Sequence, residues 1–279
     1  MPAPVKRAQL CIEGVATPYL EAGEGATAAV FVHGNPGAGE DWRALVAEAG
    51  SFMRAVAPDL PGFGGAAKPA TFNYTLSGYA QHLHALLDAL QITRVHLVLH
   101  DFGGPWGLWW AALNPTRVAS VTLINTGVFP GYRWHFMARL WRTPRLGELI
   151  MAITTRFGFR LLLGLGNPRG LPPEFVERMY RDFDAGTRRA VLKLYRATSD
   201  IEGYSQQVSA ALRPLNLPAL VIWGRADIYL PATLAQRQCE TFTRAQVVML
   251  DDSGHFPYAD NPTAVAALLM PFLQQQVAS

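Results

Sequence analysis

Cysteine is nearly missing: Cys11 and Cys239 are the two in 279 residues, and they stand far apart. With no C-x-x-C or similar spacing they give no thiolate metal site and fit free thiols in a reducing compartment. Long apolar runs are missing as well. Each is broken by Gly, Pro or charge well short of the roughly 20 residues that span a bilayer, so no membrane span is expected. The start, Met1-Pro2-Ala3-Pro4-Val5-Lys6-Arg7, is not followed by a sustained apolar core; a signal peptide is therefore not expected, and a cytoplasmic location is. Charge is sparse at 16%, and 24 Lys+Arg against 21 Asp+Glu leaves a net +3. That balance predicts a mildly basic, solvated surface rather than a nucleic-acid or membrane partner. His82 and His84 lie two apart on a helical stretch and point to different sides, which argues against a metal pair. Neither repeats nor low-complexity tracts occur.

What is present is a chain that is 50% hydrophobic, ample for one large core with an inserted subdomain. Short apolar runs of strand length alternate with helical segments, the pattern of an α/β fold whose mostly parallel central sheet carries helices on both faces. The predicted strands are Ala28–Val32, Phe52–Ala57, Arg94–Leu99, Val118–Ile124, Ala219–Trp223 and Gln246–Leu250, and the predicted core helices are Asp41–Ala49, Tyr74–Leu90, Pro105–Leu113 and Pro262–Leu273. Between Gly127 and about Leu212 the strand rhythm stops. Helical runs at Trp134–Trp141, Gly147–Leu163, Pro173–Phe183 and Thr187–Thr198 predict an all-helical cap over the carboxyl ends of the strands, where open α/β sheets hold ligands. The expected division is residues 1–127 as the first part of the core, 128–212 as the cap and 213–279 as the second part of the core.

Chemistry concentrates in the turns after the strands. Leu99-His100-Asp101-Phe102-Gly103-Gly104 joins a strand to a helix by a sharp, Gly-rich turn, the setting of a nucleophile elbow. The elbow is usually written G-x-S-x-G, which occurs nowhere here; Asp101 takes the place of the Ser. A serine esterase is thereby disfavoured. After the last strand, Gly254-His255 offers a base. After the strand before it, Asp227 offers a carboxylate to orient the imidazole. The chain order of nucleophile, acid and histidine is the order such a fold requires. His33-Gly34-Asn35-Pro36 follows the first predicted strand, and the backbone N–H groups of Asn35 and Phe102 are candidate oxyanion-hole donors.

Taken together, His33-Gly34-Asn35-Pro36, His100-Asp101-Phe102-Gly103-Gly104, Asp227 and Gly254-His255 resemble the α/β-hydrolase superfamily in its Asp-nucleophile branch of epoxide hydrolases and haloalkane dehalogenases. The similarity covers the whole chain, cap included. It implies an α/β-hydrolase fold, a covalent alkyl ester on Asp101 hydrolysed by water that His255 deprotonates while Asp227 steadies the imidazolium, and no cofactor or metal.

Within that branch the leaving atom discriminates. An epoxide oxygen leaves as an alkoxide and needs an acid. Tyr195-Arg196 is similar to the Tyr-Arg motif that carries a ring-opening tyrosine in epoxide hydrolases, so Tyr195 is the candidate acid. A second cap tyrosine is not clear, since Tyr132 comes early in the cap and Tyr180 and Tyr204 match less well. His-Gly-Asn-Pro resembles haloalkane dehalogenases, which use that Asn side chain to hold halide. They usually place a Trp after the nucleophile, however, and Phe102 has no donor to offer. Trp134-His135 is similar to fluoroacetate dehalogenases but stands early in the cap. The expectation is an epoxide hydrolase forming a vicinal diol from a small apolar epoxide and water, with Tyr132, Trp106 and Trp134 lining the pocket. The alternatives are a haloalkane dehalogenase with the same Asp-His-Asp triad, and a non-catalytic ligand-binding homologue. The sequence leaves the oligomeric state open.

Overall fold

A computed structural model of the chain describes residues 1–128 and 131–278. Eight strands form one sheet: β1 (Lys6–Ile12), β2 (Val15–Ala22), β3 (Thr27–Val32), β4 (Arg54–Pro58), β5 (Arg94–His100), β6 (Val118–Ile124), β7 (Pro218–Gly224) and β8 (Arg244–Leu250). Their order across the sheet is β1-β2-β4-β3-β5-β6-β7-β8. From β4 to β8 all neighbours are parallel, and β2 pairs antiparallel with both β1 and β4. β6 is buried along its whole length and β5 everywhere but Arg94, because a parallel strand covered on both faces must be apolar on both. Those continuous runs are why the sequence locates the central strands.

The β1–β2 hairpin is an element the sequence does not announce. β1 reads KRAQLCI and is largely exposed, so it has no apolar run to detect. Glu13 and Gly14 turn it at φ 50° and 82°, the left-handed pair that a two-residue hairpin turn needs.

Around the sheet pack α1 (Arg43–Ala49), α2 (Leu76–Ala89) and α3 (Gly103–Leu113). Six helices then intervene between β6 and β7: α4 (Phe136–Arg142), α5 (Leu146–Ile153), α6 (Arg156–Leu165), α7 (Pro173–Asp182), α8 (Ala185–Ala197) and α9 (Ile201–Leu212). α10 (Thr233–Arg237), α11 (Pro257–Asp260) and α12 (Pro262–Val277) complete the chain. The single helix predicted over Gly147–Leu163 is two, because Thr155 caps α6 by accepting from Gly158 N; a side-chain oxygen in that position ends one helix and starts the next. α9, which was not predicted as a helical run, begins where Asp200 accepts from Gly203 N. Among the described residues no helix is long and apolar enough to cross a membrane.

Candidate active site

The turn between β5 and α3 holds Asp101 at φ 47°, a left-handed conformation disfavoured for a residue with a Cβ. Its surroundings over-determine it. Thr126 Oγ1 donates to the Asp101 carbonyl at 2.5 Å, and Gly104 N donates to the same oxygen at 3.0 Å. The neighbouring loops close on this turn through missing side chains. A Cβ on Gly34 would stand 2.3 Å from that of Asp101, and one on Gly104 would stand 1.9 Å from Thr126 Oγ1.

Asn35 N donates to Asp101 Oδ1 at 2.7 Å. Phe102 stands at the head of α3, where backbone N–H groups have no acceptor within the helix. Asp101 Oδ2 faces the other way, 3.6 Å from His255 Nε2. On the far side of the ring, His255 Nδ1 donates to Asp227 Oδ2 at 2.7 Å. Asp227 is itself locked. Oδ1 accepts from Tyr229 N at 2.7 Å and Leu230 N at 3.0 Å, while Asn125 Nδ2 donates to Oδ2 at 2.7 Å. Burial alone would lower the pKa of His255, but the charges of Asp227 and Asp101 and the hydrogen bond to Asp227 outweigh it and raise it to about 10. Burial likewise opposes ionisation of Asp101 and Asp227, yet His255 holds both below the usual aspartate value. The resting arrangement is an imidazolium between two carboxylates.

These groups open into a cavity. Asn35, Asp101 and His255 line it from the core, and Tyr132, Trp134, His135 and Tyr195 line it from the helical insert. Tyr195 stands edge-on to Phe102, ring centres 5.0 Å apart. Burial, then the Asp101 charge, push its pKa well above 10, with the Asn35 side chain acting the opposite way. Tyr195 is therefore a protonated donor at neutral pH. Its hydroxyl lies 3.5 Å from His135 Nε2. Ala138 N donates to His135 Nδ1 at 3.2 Å, which leaves the proton of a neutral ring on Nε2. The ring is neutral, since burial lowers its pKa to about 4. The Asn35 side-chain amide is buried; it acts on the Tyr195 hydroxyl, but neither Nδ2 nor Oδ1 makes a hydrogen bond of good geometry among the described residues.

Asp101, Asp227, His255, Tyr195, Asn35, Phe102, Tyr132 and Trp134 are thus brought to one place. Trp106 is not. It is fully buried, stacks on Tyr79 at 4.1 Å between ring centres, and does not line the cavity. Its expected pocket role is corrected to core packing, because the first turn of α3 points it away from the mouth toward α2. Tyr204 gives its hydroxyl to the Pro105 carbonyl at 2.7 Å, outside the cavity. His135, Asn125 and Tyr229 carry parts of the site that the sequence did not assign. Tyr229 lies two residues after Asp227, a spacing that could have flagged it; nothing local marks Asn125 as the clamp on a carboxylate more than a hundred residues later.

A sequence profile of the alpha/beta hydrolase fold family matches residues 28–262. The chain is 28% identical to a haloalkane dehalogenase of Mesorhizobium japonicum, over 98% of this chain and 92% of that one. Among solved structures, the haloalkane dehalogenase DatA of Agrobacterium tumefaciens superposes with a TM-score of 0.86 at 25% identity, covering 98% of this chain and 97% of that one. The epoxide hydrolase CorEH superposes with a TM-score of 0.83 at 19% identity, covering 98% and 99%, a likeness of fold.

Proposed function

We propose, from the premise that this chain belongs to the alpha/beta hydrolase fold family, that it hydrolyses epoxides to vicinal diols through a covalent ester on Asp101. The chain is a hydrolase of that fold, and its proposed substrate is an epoxide. The observation that carries it is the buried, protonated Tyr195 hydroxyl in the same cavity as Asp101. A departing alkoxide needs a proton, and a phenol near it can supply one.

In this mechanism Asp101 Oδ1 stays with Asn35 N, and Oδ2 attacks the less hindered ring carbon. The C–O bond breaks, and the oxygen takes the proton of Tyr195, with His135 Nε2–H behind the phenolic oxygen to steady the charge it acquires. Esterification removes the negative charge of Asp101. His255 then loses one of the two carboxylates that held its proton, its pKa falls, that proton passes through solvent to the tyrosinate left at Tyr195, and the neutral ring becomes a base for the water that attacks Asp101 Cγ. The tetrahedral oxygen is Oδ1, already at the Asn35 N–H, so the backbone donor serves the hydrolytic half. Collapse breaks the bond between Asp101 Cγ and the alkyl oxygen, the remaining proton of the added water passes to that oxygen to complete the diol, and the carboxylate returns beside a His255 that the proton taken from water has restored to its imidazolium. Residues 128–212 serve as the cap that excludes bulk water.

A dehalogenase reading is favoured by the buried Asn35 amide, which lines the cavity without a hydrogen bond of good geometry, together with the haloalkane dehalogenases among its relatives. A parallel panel of epoxides and haloalkanes, scored for diol and for halide, separates the two. Diol without halide is expected, and halide release alone overturns the epoxide reading. His255→Gln should accumulate an adduct on Asp101 visible as intact mass, and absence of adduct with reactive substrates of either class argues against both.

A further inference from the structure

The helical insert carries a surface that hydrolysis does not use. Seven of the twelve large hydrophobic residues exposed among the described ones fall within residues 131–170. On α5, Leu146, Leu149 and Ile153 face solvent at spacings of three and four; on α6, Phe157, Leu161 and Leu165 do so at a spacing of four, with Phe157 78% exposed. Such spacings put each set on a single helix face. Both helices also bury apolar residues inward, Met151 on α5 and Phe159 and Leu163 on α6. They are apolar on two sides, whereas a surface helix that only covers a core is polar on its outer side. The same forty residues hold seven arginines and a single acidic residue, Glu148, in a chain whose net charge is +3. Arg139, Arg145, Arg156 and Arg160 are exposed; Arg156 and Arg160 share Glu177 of α7, at 2.6 and 3.9 Å, and keep a net positive charge between the three groups.

We propose that the exposed apolar stripes of α5 and α6 dock the protein on an anionic lipid surface. The exposed stripes enter the boundary between headgroups and acyl chains, and the flanking arginines meet the negative headgroups. Charge decides the occupant. A second copy seated on this face about a two-fold axis would set the arginines against one another, while anionic lipid complements them. Continuity with the cavity adds a reason: Thr154, between α5 and α6, and Phe159, Leu162 and Leu163 on the inner side of α6 line it. Docking therefore places the cavity wall beside the acyl layer, from which an apolar substrate can enter without crossing water. The surface stands independently of which bond the enzyme breaks.

Flotation of the full chain with vesicles tests this. With phosphatidylglycerol–phosphatidylcholine vesicles at low salt the protein should co-float, and partition should be at least about tenfold weaker with phosphatidylcholine alone or in high salt. Phe157→Glu with Leu161→Glu should weaken partition at least about tenfold while leaving the circular-dichroism melting curve unchanged. Should that pair fail to fold, Phe157→Trp reports instead, and its emission should shift to the blue on adding the anionic vesicles. No flotation with those vesicles, flotation unaltered by the paired substitution, no blue shift, or a native dimer that the paired substitution splits would each overturn the proposal.

Discussion

Asp101 shows how one residue's conformation sets the chemistry around it. At φ 47° its side chain leaves the sheet edge with one carboxylate oxygen on a backbone N–H and the other toward an imidazolium. The two oxygens have different partners before any substrate arrives, so attacking oxygen and future oxyanion are already distinguished. If Asp101 supplies part of the charge that keeps His255 protonated, Asp101→Asn should lower the imidazole pKa from its native value near 10, readable by NMR titration of the ring; an unchanged titration would leave Asp227 as the sole cause. The sign for stability follows. A histidine whose folded pKa is raised contributes fully below its unfolded value near 6.5, and the contribution is lost as pH rises toward about 10. Thermal melting at pH 6 and pH 9 should therefore show a smaller difference in His255→Gln than in the native chain. Tyr195→Phe removes only the hydroxyl. It should slow adduct formation from epoxides by about 10²–10⁴-fold and leave halide release from any haloalkane turned over little changed; equal loss on both, read by rapid-quench kinetics, would take Tyr195 out of the acid role.

Elements meet at this site through what their turns lack. The loop after β3 reaches Asp101 because Gly34 has no Cβ, and α3 reaches the loop after β6 because Gly104 has none. Gly104→Ala should cost about 1–3 kcal/mol in urea unfolding, since the new methyl would overlap Thr126 Oγ1. Adding Thr126→Ala should recover part of that stability, because it removes the atom that is struck; a double variant no more stable than the single one would place the strain elsewhere. The glycines themselves are plain in the sequence, and so are β5 and β6, whose buried runs could be nothing else. The β1–β2 hairpin was not legible, since an exposed edge pair needs no apolar run. The split between α5 and α6 was not legible either, because a threonine cap differs from a helix-interior threonine only in which backbone N–H it meets.

For the whole molecule, the helical insert is tied to the core at several points around the cavity. Arg178 on α7 donates to Asp41 Oδ1 at 2.6 Å, where the Asp41 side chain is fully buried. Thr187 on α8 donates to the Gly62 carbonyl at 2.9 Å, and Lys68 meets Asp184 at 2.7 Å. Of the two ion pairs the first is the more sheltered from solvent. Arg178→Met would leave a buried carboxylate without its cation, a change worth about 3–5 kcal/mol; a fall in melting temperature with faster proteolysis between residues 131 and 212 is expected, and an unaltered melt would show the insert is held by its apolar contacts. The sequence by itself determined the alternation of buried strands and helices, the Gly-rich turns after the strands, and the order of Asp101, Asp227 and His255, because these follow from backbone sterics and from apolar period within a few residues. Only the tertiary structure decided that His135 stands behind Tyr195, that Asn125 clamps Asp227, that Trp106 belongs to the core, and that α5 and α6 leave apolar stripes to solvent. An apolar or polar side chain carries the same local signal whichever way its helix is finally turned, and it is the packing of distant segments that turns it.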